Sequence, residues 1–248
     1  MRSFTDLSLF DNPFIIAHRG SSVRETENTP AAFEAAIEDK ADAVELDVRR
    51  TADNVLVVHH DPAVTGTTKT IADMTVDEVR DAGRAAGVDV PTLAEVVALC
   101  RGRIALDVES KEAGYEAEVA AVLTAHFDPE HILFTSFHDT SVRRLKELVP
   151  DARAGLLLGA PPPRTVGQRM SEAFPAARVR RSRCDVVLPI WHLMRLGVIP
   201  RLRRQKMPVI VWTVDEPRIA RQAIRRGALG IITNDPLTIR DHLGSTSQ

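Results

Sequence analysis

Short apolar runs rich in β-branched residues alternate with helix-like stretches along this whole chain, and that alternation constrains the fold more than any other feature. The runs fall at residues 14–17, 43–48, 104–109, 132–135, 154–158, 185–190, 209–213 and 229–233. Helical patterns lie between them at 30–40, 93–99, 116–126, 141–148 and 218–226. Strands that are apolar almost throughout belong to parallel sheets, because crossover helices cover both faces. Eight such units in 248 residues match a closed (β/α)8 barrel of the TIM type. A doubly wound sheet would instead carry a Gly-rich phosphate loop after its first strand, and the first run ends in His18-Arg19-Gly20. The expectation is one domain over residues 1–248, with its core at 13–240.

A ninth run, at 55–59, follows the second too closely for a parallel crossover. It reads as a β-hairpin extending from the second strand, with Asp53-Asn54 as a two-residue turn, since both tolerate positive φ. Antiparallel partners then have numbers that sum to 107, so Asp47 faces His60 and Arg49 faces Val58. The first helix is well signalled: Thr29 caps it, Pro30 opens it, and Phe33 and Ile37 give its buried face. Pro161–Pro163 reads as a loop and the tail from Gly244 as disordered.

Four distant segments place ionisable groups at C-terminal strand ends, where barrel active sites form. These are His18-Arg19, then Glu45 and Asp47, then His60-Asp61, and last Asp107, Glu109 and Lys111. Carboxylates two apart point to the same side of a strand, and one side of a barrel strand is the interior. Buried together they need a compensating cation, most simply a hard divalent ion with oxygen ligands. A lone His18 would more often be structural; its coincidence with His60 and the carboxylates raises it to a candidate catalytic residue. Lys111 has a bland reading as a surface residue, Trp212 as core, and Asp235 as a turn carboxylate. His59, next to His60, is expected to point away from it.

At these residues the chain resembles the glycerophosphodiester phosphodiesterase family. The resemblance rests on AHRG, ENTPAAFEAAI and VELDVRRTADNVLVVHHD, followed in order by LDVESK, FTSF, VWTVD and IITNDP, over about residues 14–236. It implies metal-assisted hydrolysis of glycerophosphodiesters to sn-glycerol 3-phosphate and an alcohol. In that reading Glu45, Asp47 and Glu109 hold Mg2+ or Ca2+, and His18 and His60 divide the acid and base roles. Arg19 and Lys111 hold the phosphate oxygens, and Trp212 lines the alcohol side. Attack by water, or first by the glycerol 2-hydroxyl through a cyclic phosphate, both fit. Two departures stand out: Asp107 replaces a frequent Asn, and Thr26-Glu27 replaces Pro-Glu. The segment 65–91 also looks short where many members carry an insertion, which bears on the head group. Glu27 and Trp191 have no assigned role.

A formal charge of -2 gives no global field for nucleic acid. Two distant cysteines, Cys100 and Cys184, suit a reducing compartment, and Asp6 and Asp11 interrupt any signal-like run, so a cytoplasmic protein is expected. No stretch reaches the roughly 18 apolar residues of a membrane span. The basic runs 178–183 and 201–206 read as solvated helix faces. Two other functions compete: a lysophospholipase D acting on lyso-lipid diesters, favoured by an apolar mouth, and a phosphate-binding barrel without turnover, which should have lost one of these histidines or carboxylates.

Overall fold

The computed structural model describes residues 1–5, 13–159 and 165–244. The Pro161–Pro163 run and the tail beyond Gly244 lie outside the described residues. The elements, in chain order, are β1 (Phe14–Ala17), α1 (Pro30–Glu38), β2 (Ala43–Arg50), β3 (Leu56–Val58), α2 (Val76–Ala85), α3 (Leu93–Cys100), β4 (Ala105–Ser110), α4 (Glu116–Thr124), β5 (Ile132–Ser136), α5 (Asp139–Leu148) and β6 (Arg153–Leu158). They continue with α6 (Val166–Ala173), α7 (Ala176–Ser182), β7 (Val186–Pro189), α8 (Val198–Arg204), β8 (Ile210–Val211), α9 (Pro217–Arg225), β9 (Gly230–Thr233) and α10 (Pro236–Gly244).

Eight strands pair in parallel in the order β7-β6-β5-β4-β2-β1-β9-β8. Bridges Val187–Val209 and Ile190–Trp212 then join β7 to β8 and bring the ring to closure as the expected (β/α)8 barrel. The alternation along each strand decides what faces where. Val44, Leu46 and Val48 pack outward with α1, α3 and α4 in one apolar layer. Phe14, Ile16, Ala43, Ala105, Leu133, Leu188, Ile210 and Ile232 fill the barrel interior, and Phe4 packs on Phe14 at 4.9 Å between ring centres. Above this dry plug the inward positions become polar. The β2–β4 register sets Glu45 beside Asp107 and Asp47 beside Glu109.

Helix α1 begins as anticipated, with Thr29 Oγ1 accepting from the Ala32 N–H and Pro30 in the first turn. Helix α2 escaped the sequence reading, although Thr75 and Glu78 form a full capping box at its start. The segment 65–91 thus folds into a helical turn and α2. Its apolar side chains Ile71, Met74, Val79 and Val90 pack on Val57 of β3.

The hairpin is present, but its register corrects the expectation. Val48 pairs with Val58 and Arg49 with Val57, so partner numbers sum to 106. The cause is a three-residue loop. Thr51 donates its N–H to Val55 O at 2.9 Å, and Asn54 sits at φ 63°. A turn followed by a left-handed residue is the usual three-residue hairpin connection. Asp47 therefore lies opposite His59, whose N–H donates to its carbonyl at 2.9 Å. His60 falls beyond the end of β3, where its carbonyl accepts from Arg49 Nε at 2.9 Å.

Candidate active site

Most of the residues singled out from sequence line one cavity of about 530 Å3 at the C-terminal ends of the strands. One wall is polar, formed by His18, Arg19, Glu45, His60, Asp107, Glu109 and Lys111. The opposite wall is mostly apolar, formed by Phe137, Leu157, Ile190, Trp212 and Ile232. Asp47 lies directly behind the polar wall, 1% exposed. No residue of 65–91 lines this cavity.

Three carboxylates define the polar floor. Oxygens of Glu45, Asp47 and Glu109 lie within 4.8 Å of one another, and all three groups are buried. Glu45 and Asp47 are held from the loop between β1 and α1, and Glu109 from the residue that follows β4. The Arg19 backbone N–H, presented by a left-handed residue at φ 56°, donates to Glu45 Oε2 at 2.9 Å. The Asn28 amide, itself at φ 58°, donates to Asp47 Oδ2 at 2.8 Å. Lys111 Nζ lies 2.8 Å from Glu109 Oε1 and 3.2 Å from Asp47 Oδ1. Arg19 Nε is 3.1 Å from Asp47, while its Nη1 donates at 2.8 Å to the more exposed Glu27. Glu27 thus braces Arg19 from the solvent side.

Electrostatics follow from crowding. Burial, reinforced by Asp47, Glu109 and Asp107, holds the Glu45 carboxyl well above the usual range. Burial and the Asp47 charge push Glu109 up to about 7. Burial likewise raises Asp107, whose Oδ1 accepts from Thr135 Oγ1 at 2.8 Å and whose Oδ2 has no hydrogen-bond partner. Asp47 goes the other way: burial opposes its charge, but Lys111 and Arg19 outweigh it and bring it to about 2. Four buried carboxylates face two cations, Arg19 and Lys111. Two protons or one divalent cation would complete neutrality, and a set of hard oxygen donors suits such an ion. The residues present therefore fit a divalent metal held by Glu45, Asp47 and Glu109.

The histidines approach this floor from two sides. His18 follows β1, its Nδ1 lies 2.7 Å from Asn234 Oδ1, and its Nε2 lies 4.0 Å from Glu45 Oε2. Burial, helped by the Arg19 charge, lowers its pKa and favours the neutral ring. His60, with 36% of its side chain exposed, sits nearer solvent with Nδ1 2.8 Å from Asp61 Oδ1. Trp212 donates its indole N–H to Leu188 O at 2.7 Å and packs edge-on against Phe137.

Some side chains fall elsewhere. Trp191 is not a lining residue; it stacks on His192 at 3.6 Å. Asp235 accepts from the Thr238 N–H at 3.0 Å, a turn and capping role. His59 does not line the cavity. Four participants were not anticipated from sequence: Asn28, Asn234, Phe137 and His138. The two asparagines read as turn formers, and the only available signal was their position inside ENTP and TNDP.

Comparison with known proteins identifies the family. Residues 18–238 match the model of the glycerophosphoryl diester phosphodiesterase family. A glycerophosphodiester phosphodiesterase of Caldanaerobacter subterraneus subsp. tengcongensis is 33% identical over 247 residues, covering 91% of this chain and 95% of that protein. The glycerophosphodiester phosphodiesterase of Thermotoga maritima superposes with a TM-score of 0.76 at 26% identity, covering 94% of this chain and 99% of its own. One from Parabacteroides distasonis gives 0.79 at 25% identity, covering 96% and 99%. The chain belongs to the glycerophosphoryl diester phosphodiesterase family and is a phosphoric diester hydrolase on a (β/α)8 barrel.

Proposed function

We propose that the protein hydrolyses glycerophosphodiesters to sn-glycerol 3-phosphate and an alcohol, in a cytoplasmic setting that suits its two free, buried cysteines. The observation that carries the reading is the convergence of Glu45, Asp47, Glu109, His18, His60, Arg19 and Lys111 on one cavity.

In this reading Glu45, Asp47 and Glu109 hold Mg2+ or Ca2+, which when bound supplies Lewis-acid charge for the phosphoryl oxygens. Arg19 offers a planar fork and Lys111 a point charge to the same oxygens. Charge that spreads over them during in-line displacement meets donors already in place. With Nδ1 of each ring engaged by an oxygen, Nε2 is the nitrogen left to serve the reacting group. Buried, neutral His18 suits removal of the proton from the attacking hydroxyl, and His60 suits its return to the departing alkoxide. The attacking hydroxyl can be water or the glycerol 2-hydroxyl. Trp212 and Phe137 shape the alcohol side.

The apolar wall supports a second reading, lysophospholipase D activity on lyso-lipid diesters, through contacts of Phe137, Leu157, Ile190 and Trp212 with a hydrophobic alcohol. The test is release of glycerol 3-phosphate from glycerophosphocholine and from a lyso-lipid, with EDTA, Mg2+ or Ca2+ added in turn. Release that needs a divalent ion is the expected result, and the preferred diester separates the two readings. Folded protein that cleaves neither with any ion would leave a phosphate-binding barrel without turnover.

A further inference from the structure

Seven large apolar side chains are exposed among the described residues, and Val166, Met170, Phe174 and Leu196 belong together, each more than half exposed. Scattered exposed apolar residues need no explanation, whereas a contiguous group does. Val166, Met170 and Phe174 are four apart and form one ridge along α6 and just past its end. Arg201 joins Leu196 to that ridge. Its guanidinium lies 4.4 Å over the Phe174 ring and donates to Ala173 O and Leu196 O, each at 2.6 Å.

The surroundings are cationic. Residues 165–206 hold ten Arg and Lys against two Asp and Glu, in a chain of formal charge -2. Both acids are already paired, Glu172 with Arg178 and Asp185 with Lys146 and Arg153. Arg169, Arg195, Arg203 and Arg204 are exposed. The ridge also adjoins the cavity. Gly159, in the cavity wall, donates its N–H to Glu172 of α6, and Ile190 leads directly into the helical turn Trp191–Leu196.

We propose that this face docks on an anionic lipid surface, with the ridge entering the headgroup boundary while the flanking arginines meet lipid phosphates. Charge selects this occupant. A second copy of the chain would bring the same cations and be repelled. A nucleic acid would engage the arginines and leave the ridge in water. Docking concerns binding alone and holds whichever diester the cavity cleaves.

Co-sedimentation with vesicles of phosphatidylcholine, and of phosphatidylcholine mixed with phosphatidylglycerol, tests the proposal. The expected result is binding to the anionic vesicles that weakens as salt rises, with little binding to the neutral ones. The triple variant Val166→Ser, Met170→Ser and Phe174→Ser should lower the vesicle partition about tenfold or more. It should keep wild-type turnover of a water-soluble diester, because none of these side chains supports the core. A second variant, Arg169→Glu with Arg195→Glu, should remove the salt-sensitive part. Absence of binding to anionic vesicles, or binding that the ridge variant leaves intact, overturns the proposal. So does binding to duplex DNA that outcompetes vesicles and survives the ridge variant. Failure of the wild type to cleave any soluble diester would count against the catalytic reading alone, since vesicle binding is read without turnover.

Discussion

At the scale of single residues, the two histidines are held by the same device and then separated by burial. Each engages Nδ1 with an oxygen, Asn234 Oδ1 for His18 and Asp61 Oδ1 for His60. For His18 the direction of that bond is fixed from further out. Asp215 can only accept, so it takes the Asn234 amide N–H at 2.8 Å, which leaves Asn234 Oδ1 to accept from the ring. Ser22 Oγ donates to the same oxygen at 2.9 Å. Nδ1 then carries the hydrogen and Nε2 keeps its lone pair facing Glu45. Replacing His18 or His60 with Ala should lower kcat roughly 10²–10⁴-fold with divalent-ion binding retained, as titration calorimetry can show. Wild-type turnover in either variant would remove that residue from the chemistry. Asn234 is a positioning residue, and Asn234→Ala should lower kcat by on the order of 10-fold with KM little changed. The accompanying sign is the ¹⁵N shift of His18, which should report Nδ1–H in the wild type and a mixture of tautomers in the variant. An unchanged spectrum would mean that Asn234 does not set the ring.

At the scale of elements, the junction from β1 to α1 is the tightest part of the site. Gly20 sits at φ 86°, and a Cβ there would lie 2.6 Å from the backbone carbon and oxygen of Ala32 in α1. Gly20→Ala should therefore combine a left-handed penalty with a backbone clash, about 3 kcal/mol in all. That corresponds to a loss of roughly 6–12 °C in Tm for a chain of this size. It should also displace Arg19, whose N–H holds Glu45. A wild-type Tm would show that α1 yields easily. The same junction illustrates what was legible beforehand. The strands were readable because parallel strands buried on both faces are apolar almost throughout, and β1 matches its expected bounds of Phe14–Ala17. Thr29 and Pro30 marked α1 through chemistry that acts within three residues. The hairpin register was not legible, because Asp53-Asn54 suits both a two-residue turn and the last two positions of the three-residue loop observed. Asn28 and Asn234 were missed for a related reason: their partners Asp47 and His18 are distant in sequence, and an asparagine's local pattern is the same in any turn. Phe4 carries no local signal either, and only its packing on Phe14 at the barrel floor gives it a place.

At the scale of the whole molecule, the carboxylate floor ties stability to protons and to the divalent ion. Glu109 has a folded pKa of about 7 against 4.5 unfolded, so the folded protein holds that proton more tightly. In ion-free protein its contribution is fully present below about pH 4.5 and is lost as pH rises to about 7, a change on the order of 3 kcal/mol. Glu45 and Asp107, raised in the same direction by burial, add to that loss. Asp47, lowered to about 2, contributes stability above its unfolded value of 3.8 and loses it only on strong acidification. A bound divalent ion replaces those protons, so its stabilising effect must compete with them. The expected outcome is a difference in Tm, between saturating Mg2+ or Ca2+ and EDTA, that is small near pH 4.5, grows towards pH 7 and flattens once the floor is fully ionised. His18 and His59 are lowered by burial and oppose this trend, but they are present in both samples and largely drop out of the difference. Thermal unfolding across pH in the two conditions measures it. In Glu109→Gln the growth with pH should shrink, because the neutral amide neither titrates nor carries charge to an ion. A Tm difference that is constant with pH, or none at all, would mean that Lys111 and Arg19 alone balance the floor and that these carboxylates do not hold the ion.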